Sequence, residues 1–256
     1  MSDTDGKYIY CIIQSTAPQV FSAQPIAHTN SERVYTVHYD DLAAVLSDAP
    51  IKRYDVSRQN TLAHEKVIEE VMQRGFTVLP VRFGTVAQSI NQIRERLLKR
   101  RFGLLHGYLY RVQGKVELGL KAFWNKEQMF REIAAEDMQI QRLRDLLAAT
   151  PPAQGYADRI ELGRMVEAAL IAKRDAAAEK VLETLRPLAD ELRVNQTLTD
   201  AMIVNAAFLV CCTVESEFDA AVNRLDEQYA GRVTFKYVGP VPPFNFVNIV
   251  VNWNEE

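Results

Sequence analysis

AMIVNAAFLVCCTV, from Ala201 to Val214, decides how the second half of this chain must fold. Between Ala206 and Cys212 the residues are apolar at successive positions, so neither face of a strand here can meet water. Such a strand belongs in a sheet interior, because at an edge it would template aggregation. Working outward, Glu215 to Ala230 reads as a helix stopped by Gly231, with Phe218, Ala221, Val222 and Leu225 on its inner face. Arg232 to Val238 (RVTFKYV) alternates as a strand. Upstream, Leu192 to Leu198 is a short strand and Lys115 to Phe123 an alternating one. Between them, two long helical segments, about Lys126 to Ala149 and Ala157 to Leu185, flank the loop Thr150-Pro151-Pro152-Ala153-Gln154-Gly155. Pro187 ends or kinks the second. Strand, helix, strand, strand, helix, strand is the order of a ferredoxin-like domain, here with its first crossover enlarged into a helical hairpin.

The first half follows a different plan. Lys7 to Ile13 is a strand rich in aromatic and β-branched residues, and Arg33 to His38 a second. Asp40-Asp41 is expected to cap a short helix through Leu46. Ser57 opens a stronger helix to about Arg74, which Gly75 terminates; His64, Val67, Ile68, Val71 and Met72 form its apolar stripe. Phe76 to Phe83 reads as a strand whose Pro80 implies an edge or a bulge. A further helix, roughly Val86 to Arg101, carries Val86, Ile90, Ile93 and Leu97 on one face. The expected fold class is α+β with two domains: residues 1–113, an N-terminal α+β domain, and residues 114–238, a modified ferredoxin-like fold with a long helical hairpin. Residues 239–256 follow as an extended, Pro-rich tail that packs on the protein or on a partner.

That tail, Gly239-Pro240-Val241-Pro242-Pro243-Phe244-Asn245-Phe246-Val247, has three prolines within four positions and is expected to run extended. Phe244 and Phe246 would then point to one side. A segment this apolar either docks on its own chain or is offered to another polypeptide. Phe244, Phe246, Val247 and Trp253 are the candidate interaction or interdomain residues.

The 256 residues carry a net charge of −3, which gives no reason to expect nucleic acid or an acidic membrane surface. No apolar run reaches the roughly 18 residues of a membrane span, so no lipid membrane partner is expected. The polar, acidic start at Met1 to Gly6 is unlike a secretory leader. Three cysteines, two of them adjacent at Cys211-Cys212, suit a reducing cytoplasm.

Catalytic signatures are missing. Phosphate-binding glycine motifs, G-x-S-x-G, H-E-x-x-H and C-x-x-C do not occur, and His28, His38, His64 and His106 lack metal-ligand spacing. No catalytic, cofactor-binding or metal residue is assigned, and no cofactor is expected. His64 could be a tuned base, but a core histidine with satisfied hydrogen bonds is the simpler reading. The basic run Arg94, Arg96, Lys99, Arg100 and Arg101 could bind an anion; it also suits the C-terminal end of a helix and a solvated face. Arg82, in an apolar strand, calls for a carboxylate or carbonyl partner.

Taken together, the segments 239–247, His64 to Met72 and Val78-Leu79-Pro80-Val81-Arg82-Phe83-Gly84-Thr85, with the strands at Tyr8 to Tyr10 and Lys115 to Phe123, resemble the gas vesicle protein F/L family, leaning toward its F branch. The resemblance spans most of the chain. It implies a non-enzymatic accessory structural or assembly protein of gas vesicles, cytoplasmic or vesicle-bound. Its implied partners are the hydrophobic gas vesicle shell protein (GvpA type) and other gas vesicle accessory proteins. No catalytic residues are assigned in that family, so the resemblance carries none over. The rival is a ferredoxin-like small-molecule enzyme or sensor; a pocket joining His64 and Arg82, with a perturbed histidine pKa, would favour it.

Overall fold

β1 (Asp5–Gln14) is the organising strand of the N-terminal region, because both its faces are apolar and both become buried. The computed structural model describes residues 5–27, 33–151, 154–251 and 253. His28 and the loop residues Pro152 and Ala153 therefore lie outside the described residues. The chain divides into two compact units, Met1–Glu117 together with Pro240–Glu256, and Leu118–Gly239.

In the first unit, β1 pairs antiparallel with β4 (Leu42–Pro50), which pairs with β3 (Val34–Tyr39), which pairs with β2 (Val20–Phe21). On its other side β1 meets β5 (Val78–Pro80) and β6 (Val86–Ala87). Pro80 thus sits at the sheet margin, where a missing donor costs little. The β1–β4 register slips between Ile9 and Cys11. This bulge lets Tyr8 and Tyr10, then Cys11 and Ile13, all join one core cluster, since an extra residue shifts the alternation by one.

α1 (Arg58–Gln73) covers that face. Ser57 caps it by accepting from the Asn60 amide, and His64, Val67, Ile68 and Val71 are buried. Each apolar member of the stripe contributes about 1.5–3 kcal/mol of burial. The opposite face is covered by a helical segment, α2 (Ile90–Gln92) widening into a π-helical stretch (Ile93–Lys99), followed by α3 (Phe102–Val112). Ile93, Leu97, Leu98 and Leu105 are buried there.

Two expectations fail in this unit. Leu42 to Leu46 is strand, not helix, and Asp40-Asp41 forms the two-residue hairpin turn between Tyr39 and Leu42. Primed hairpin turns put their first central residue at positive φ, and Asp40 is there at φ 54°. Asp41 instead accepts from Gln14 Nε2 at 2.7 Å and pairs with His106 Nε2 at 2.9 Å, latching the turn to α3. The helix expected from Val86 begins only at Ile90, after the Ser89 cap, because Val86 and Ala87 pair with Tyr8 and Lys7.

The second unit runs β7 (Lys115–Trp124), α4 (Lys126–Glu136), α5 (Met138–Ala148), α6 (Tyr156–Leu185), a 3₁₀ turn at Arg186–Leu188, β8 (Glu191–Val194), β9 (Met202–Cys211), α7 (Glu215–Gln228) and β10 (Val233–Val241). Its sheet order is β10-β7-β9-β8, so β9 is interior, as its apolar faces require. The helix expected from Lys126 to Ala149 is two helices. Asp137 leaves helical geometry at φ −97°, ψ 107° and its carboxylate accepts from the Gln139 and Ile140 amides, starting α5 afresh. α6 has 30 residues, yet only Val181, Leu182 and Leu185 are buried. Polar contacts secure its middle: Glu132 of α4 takes Lys173 of α6 at 2.8 Å and Arg232, just before β10, at 2.7 Å.

Candidate interaction site

The Pro-rich segment does not stay extended. Gly239, Pro240 and Val241 complete β10, an end strand of its sheet, where proline is tolerated. Pro243 then turns the chain: its carbonyl accepts from Phe246 N at 3.1 Å and Val247 N at 2.9 Å, while Pro242 O accepts from Phe244 N at 2.7 Å. Proline suits the first turn of such a bend because its absent N–H would be unpaired anyway. The bend separates the two phenylalanines expected on one side. Phe246 is 7% exposed and Phe244 39%.

Beyond the bend, the segment is held on the first unit largely by its backbone. Ile249 forms a parallel bridge with Val81, and Arg82 N donates to the Ile249 carbonyl at 3.3 Å. Arg111 donates to the Phe246 carbonyl at 3.4 Å, Arg101 to the Val250 carbonyl at 2.7 Å, and Arg96 to the Trp253 carbonyl. The buried Glu117 carboxylate accepts from Asn245 N at 2.7 Å and from its side-chain amide. Phe246, Val247 and Ile249 are buried, and Trp253 is half-buried.

A groove of about 290 Å³ runs beside this segment, with Glu65, Val81, Arg82, Phe83, Phe244 and Val247 in its walls, and His64 reaching it. Burial, with Glu69 alongside, pushes the Glu65 carboxyl above its usual range. The groove does join His64 to Arg82. His64 is also pushed down to about 4, by burial, against a bond to the Val81 backbone that favours its charged form. Its Nδ1 lies 3.1 Å from the Tyr8 hydroxyl, which itself accepts from Gly84 N at 2.9 Å. In the neutral ring the one proton sits on the nitrogen that serves the Val81 backbone, which leaves Nδ1 to accept from the Tyr8 hydroxyl. With both nitrogens engaged and 3% exposure, this imidazole is a neutral tie between α1, β1 and the segment that receives Ile249. The Arg82 side chain is exposed, so the buried partner it was expected to need is not required.

The structure brings Phe244 and Val247 to one groove and buries Phe246 beside them; Trp253 lines a separate hollow with Ile51, Val86 and Arg96. The anchoring residues Arg96, Arg101, Arg111 and Glu117 carry no such role in the sequence. The basic run is an exposed helix end, in keeping with the solvated-face reading: Arg94, Arg96, Lys99 and Arg100 are exposed, Arg96 and Lys99 lie in the last turn, Arg94 donates to the His38 carbonyl at 3.0 Å and Lys99 pairs with Glu95 at 2.7 Å. Among the described residues, no cluster of His, Cys, Asp or Glu could hold a metal ion, and no helix is long and apolar enough to cross a membrane.

The family model described as gas vesicle synthesis protein GvpL/GvpF matches residues 6–248. Gas vesicle protein F of Dolichospermum flosaquae is 29% identical over 243 residues, covering 94% of this chain and 97% of that relative. The crystal structure of the gas vesicle protein GvpF from Anabaena sp. PCC7120 is similar with a TM-score of 0.85 at 28% identity, covering 96% of this chain and all of that one. The GvpF crystal structure from Microcystis aeruginosa gives 0.76 at 27% identity, over 94% and 98% of the two chains. The mixed architecture of helices and antiparallel strands matches these structures.

Proposed function

Since this chain belongs to the gas vesicle synthesis protein GvpL/GvpF family, we propose that it is an accessory structural or assembly protein of gas vesicles. It acts by protein–protein contact with the hydrophobic shell protein, makes and breaks no bonds, and resides in the cytoplasm or on the vesicle. The observation that carries this reading is the groove beside the docked segment, lined by the exposed Phe244 together with Val81, Phe83 and Val247. An apolar shell subunit must keep strand edges and greasy faces covered until incorporated, and a groove lined by Phe83 and Phe244 is suited to that contact. We also read the second unit, from its strand and helix order, as a modified ferredoxin-like domain.

Crosslinking in vesicle-forming cells tests the contact. The shell protein is the expected neighbour, and Phe244→Ala is expected to weaken its capture while leaving the fold intact. Unchanged vesicle number and shape on deleting the chain, with no shell-protein crosslink, would overturn the reading.

The rival, a small-molecule enzyme or sensor, draws on the same groove because it joins His64 and Arg82. The engaged ring nitrogens of His64 argue against proton transfer there. Loss of vesicle formation in His64→Gln with Arg82→Leu, with folding and shell capture intact, would favour the rival.

A further inference from the structure

The dock that holds residues 245–251 and Trp253 reads main chain. Three arginines donate to the carbonyls of Phe246, Val250 and Trp253, and Val81 with Arg82 takes Ile249 as strand to strand. Side-chain selection falls to the buried Phe246, Val247 and Ile249, and to Asn245 on Glu117. All these contacts lie beyond one covalent link, the Pro242-Pro243 pair that follows β10, where the chain bends through short-range bonds onto the Pro242 and Pro243 carbonyls. Prolines favour extended backbone, so opening the bend loses those bonds but moves the link toward its preferred geometry.

We infer that the C-terminal segment exchanges between copies: the segment of one molecule fills the dock of a second, with the proline link as hinge. The occupant is a second copy because the segment that fits every feature of the dock is the chain's own, and each molecule carries both halves. Exchange therefore replaces each dock contact with an identical one, and the two states differ only at the hinge and in association entropy. Reciprocal exchange closes a two-fold dimer; one-way passage builds an open row of molecules.

The test uses the full chain carrying Val81→Cys and Ile249→Cys, with Cys211→Ser and Cys212→Ser to remove the less buried native thiols. Tagged and untagged versions are mixed at a series of concentrations, warmed, oxidised and separated on denaturing gels without reductant. The expected result is a covalent tagged–untagged species that grows with concentration and is absent from either single-cysteine variant. Softening the hinge with Pro242→Gly and Pro243→Gly is expected to lower that species several-fold while within-chain closure persists. Closure within single chains at every concentration overturns the inference. So does failure of the pair to close at all, since the segment would then not lie on Val81. A foreign strand-forming peptide that abolishes closure without any tagged–untagged product would assign the dock to a foreign strand instead.

Discussion

The Tyr8 hydroxyl and His64 Nδ1 lie 3.1 Å apart inside the first unit, in a site whose burial favours the neutral imidazole. The same hydroxyl holds Gly84, so one phenol ties α1 to the chain reversal after β5. The pair sits in an aromatic group with Tyr10, Tyr54 and Phe83. A charged imidazole there would lose its acceptor nitrogen in a site where burial penalises the charge.

His64 should therefore govern an acid limb of stability. Its folded pKa, about 4, lies below the ordinary 6.5. The unfolded chain then binds the proton first, so stability is fully present above pH 6.5 and falls as pH drops toward 4, by roughly 3 kcal/mol at most. Urea midpoints across that range should show this slope. His64→Gln, which keeps a donor and an acceptor but does not titrate, should flatten it.

Glu117→Ala should loosen the C-terminal segment. It leaves the Asn245 amide without its acceptor, and an orphaned buried donor costs about 1–3 kcal/mol. Hydrogen exchange at Asn245, Phe246 and Val247 should accelerate together. In a double-mutant cycle with Asn245→Ala, a coupling of about 1 kcal/mol or more is expected.

Glu132 makes the second unit sensitive to stronger acid. Burial opposes its ionisation, but hydrogen bonds from Lys173 and Arg232 overcome this and hold it at about 2. Because the folded value is depressed, its contribution is present above about pH 4.5 and is lost as pH falls toward 2. Solvent reaches this site, so Glu132→Gln should cost only about 1 kcal/mol at neutral pH. Limited proteolysis should reach the α4–α6 region sooner in that variant.

Asp40→Gly should stabilise the first unit by about 0.5 kcal/mol. Glycine adopts the positive φ of this turn without a Cβ penalty, and its greater unfolded-state entropy offsets part of the gain. Asp41 must be kept, since it carries the bonds to Gln14 and His106. Thermal unfolding of Asp40→Gly against Asp41→Ala should move in opposite directions.

Elements with their own local logic were legible in the residues. Ser57 and Gly75 bracket α1, and the His64 to Val71 stripe names its inner face. β9 declared its interior position through apolar residues on both sides. β4 was misread for the same reason that it is buried: LAAVLS lacks alternation, and leucine with alanine favours helix locally until neighbouring strands override them. The site was less legible. Phe246 and Val247 were singled out as apolar, but nothing nearby reveals that Arg101 reaches a carbonyl 149 positions away. Glu117 looked like the polar side of an alternating strand, and only the returning chain makes it a buried acceptor.

The parallel bridge between Val81 and Ile249 also sets an order of events at the ribosome. Residues near Ile249 emerge about 130 positions after Glu117, so the β5 margin waits on the order of ten seconds for its cover at ordinary elongation rates. Throughout that interval the nascent first unit is open along one side. A chaperone able to shield that margin during synthesis should raise the yield of correctly closed molecules, and slower translation should increase the need for it.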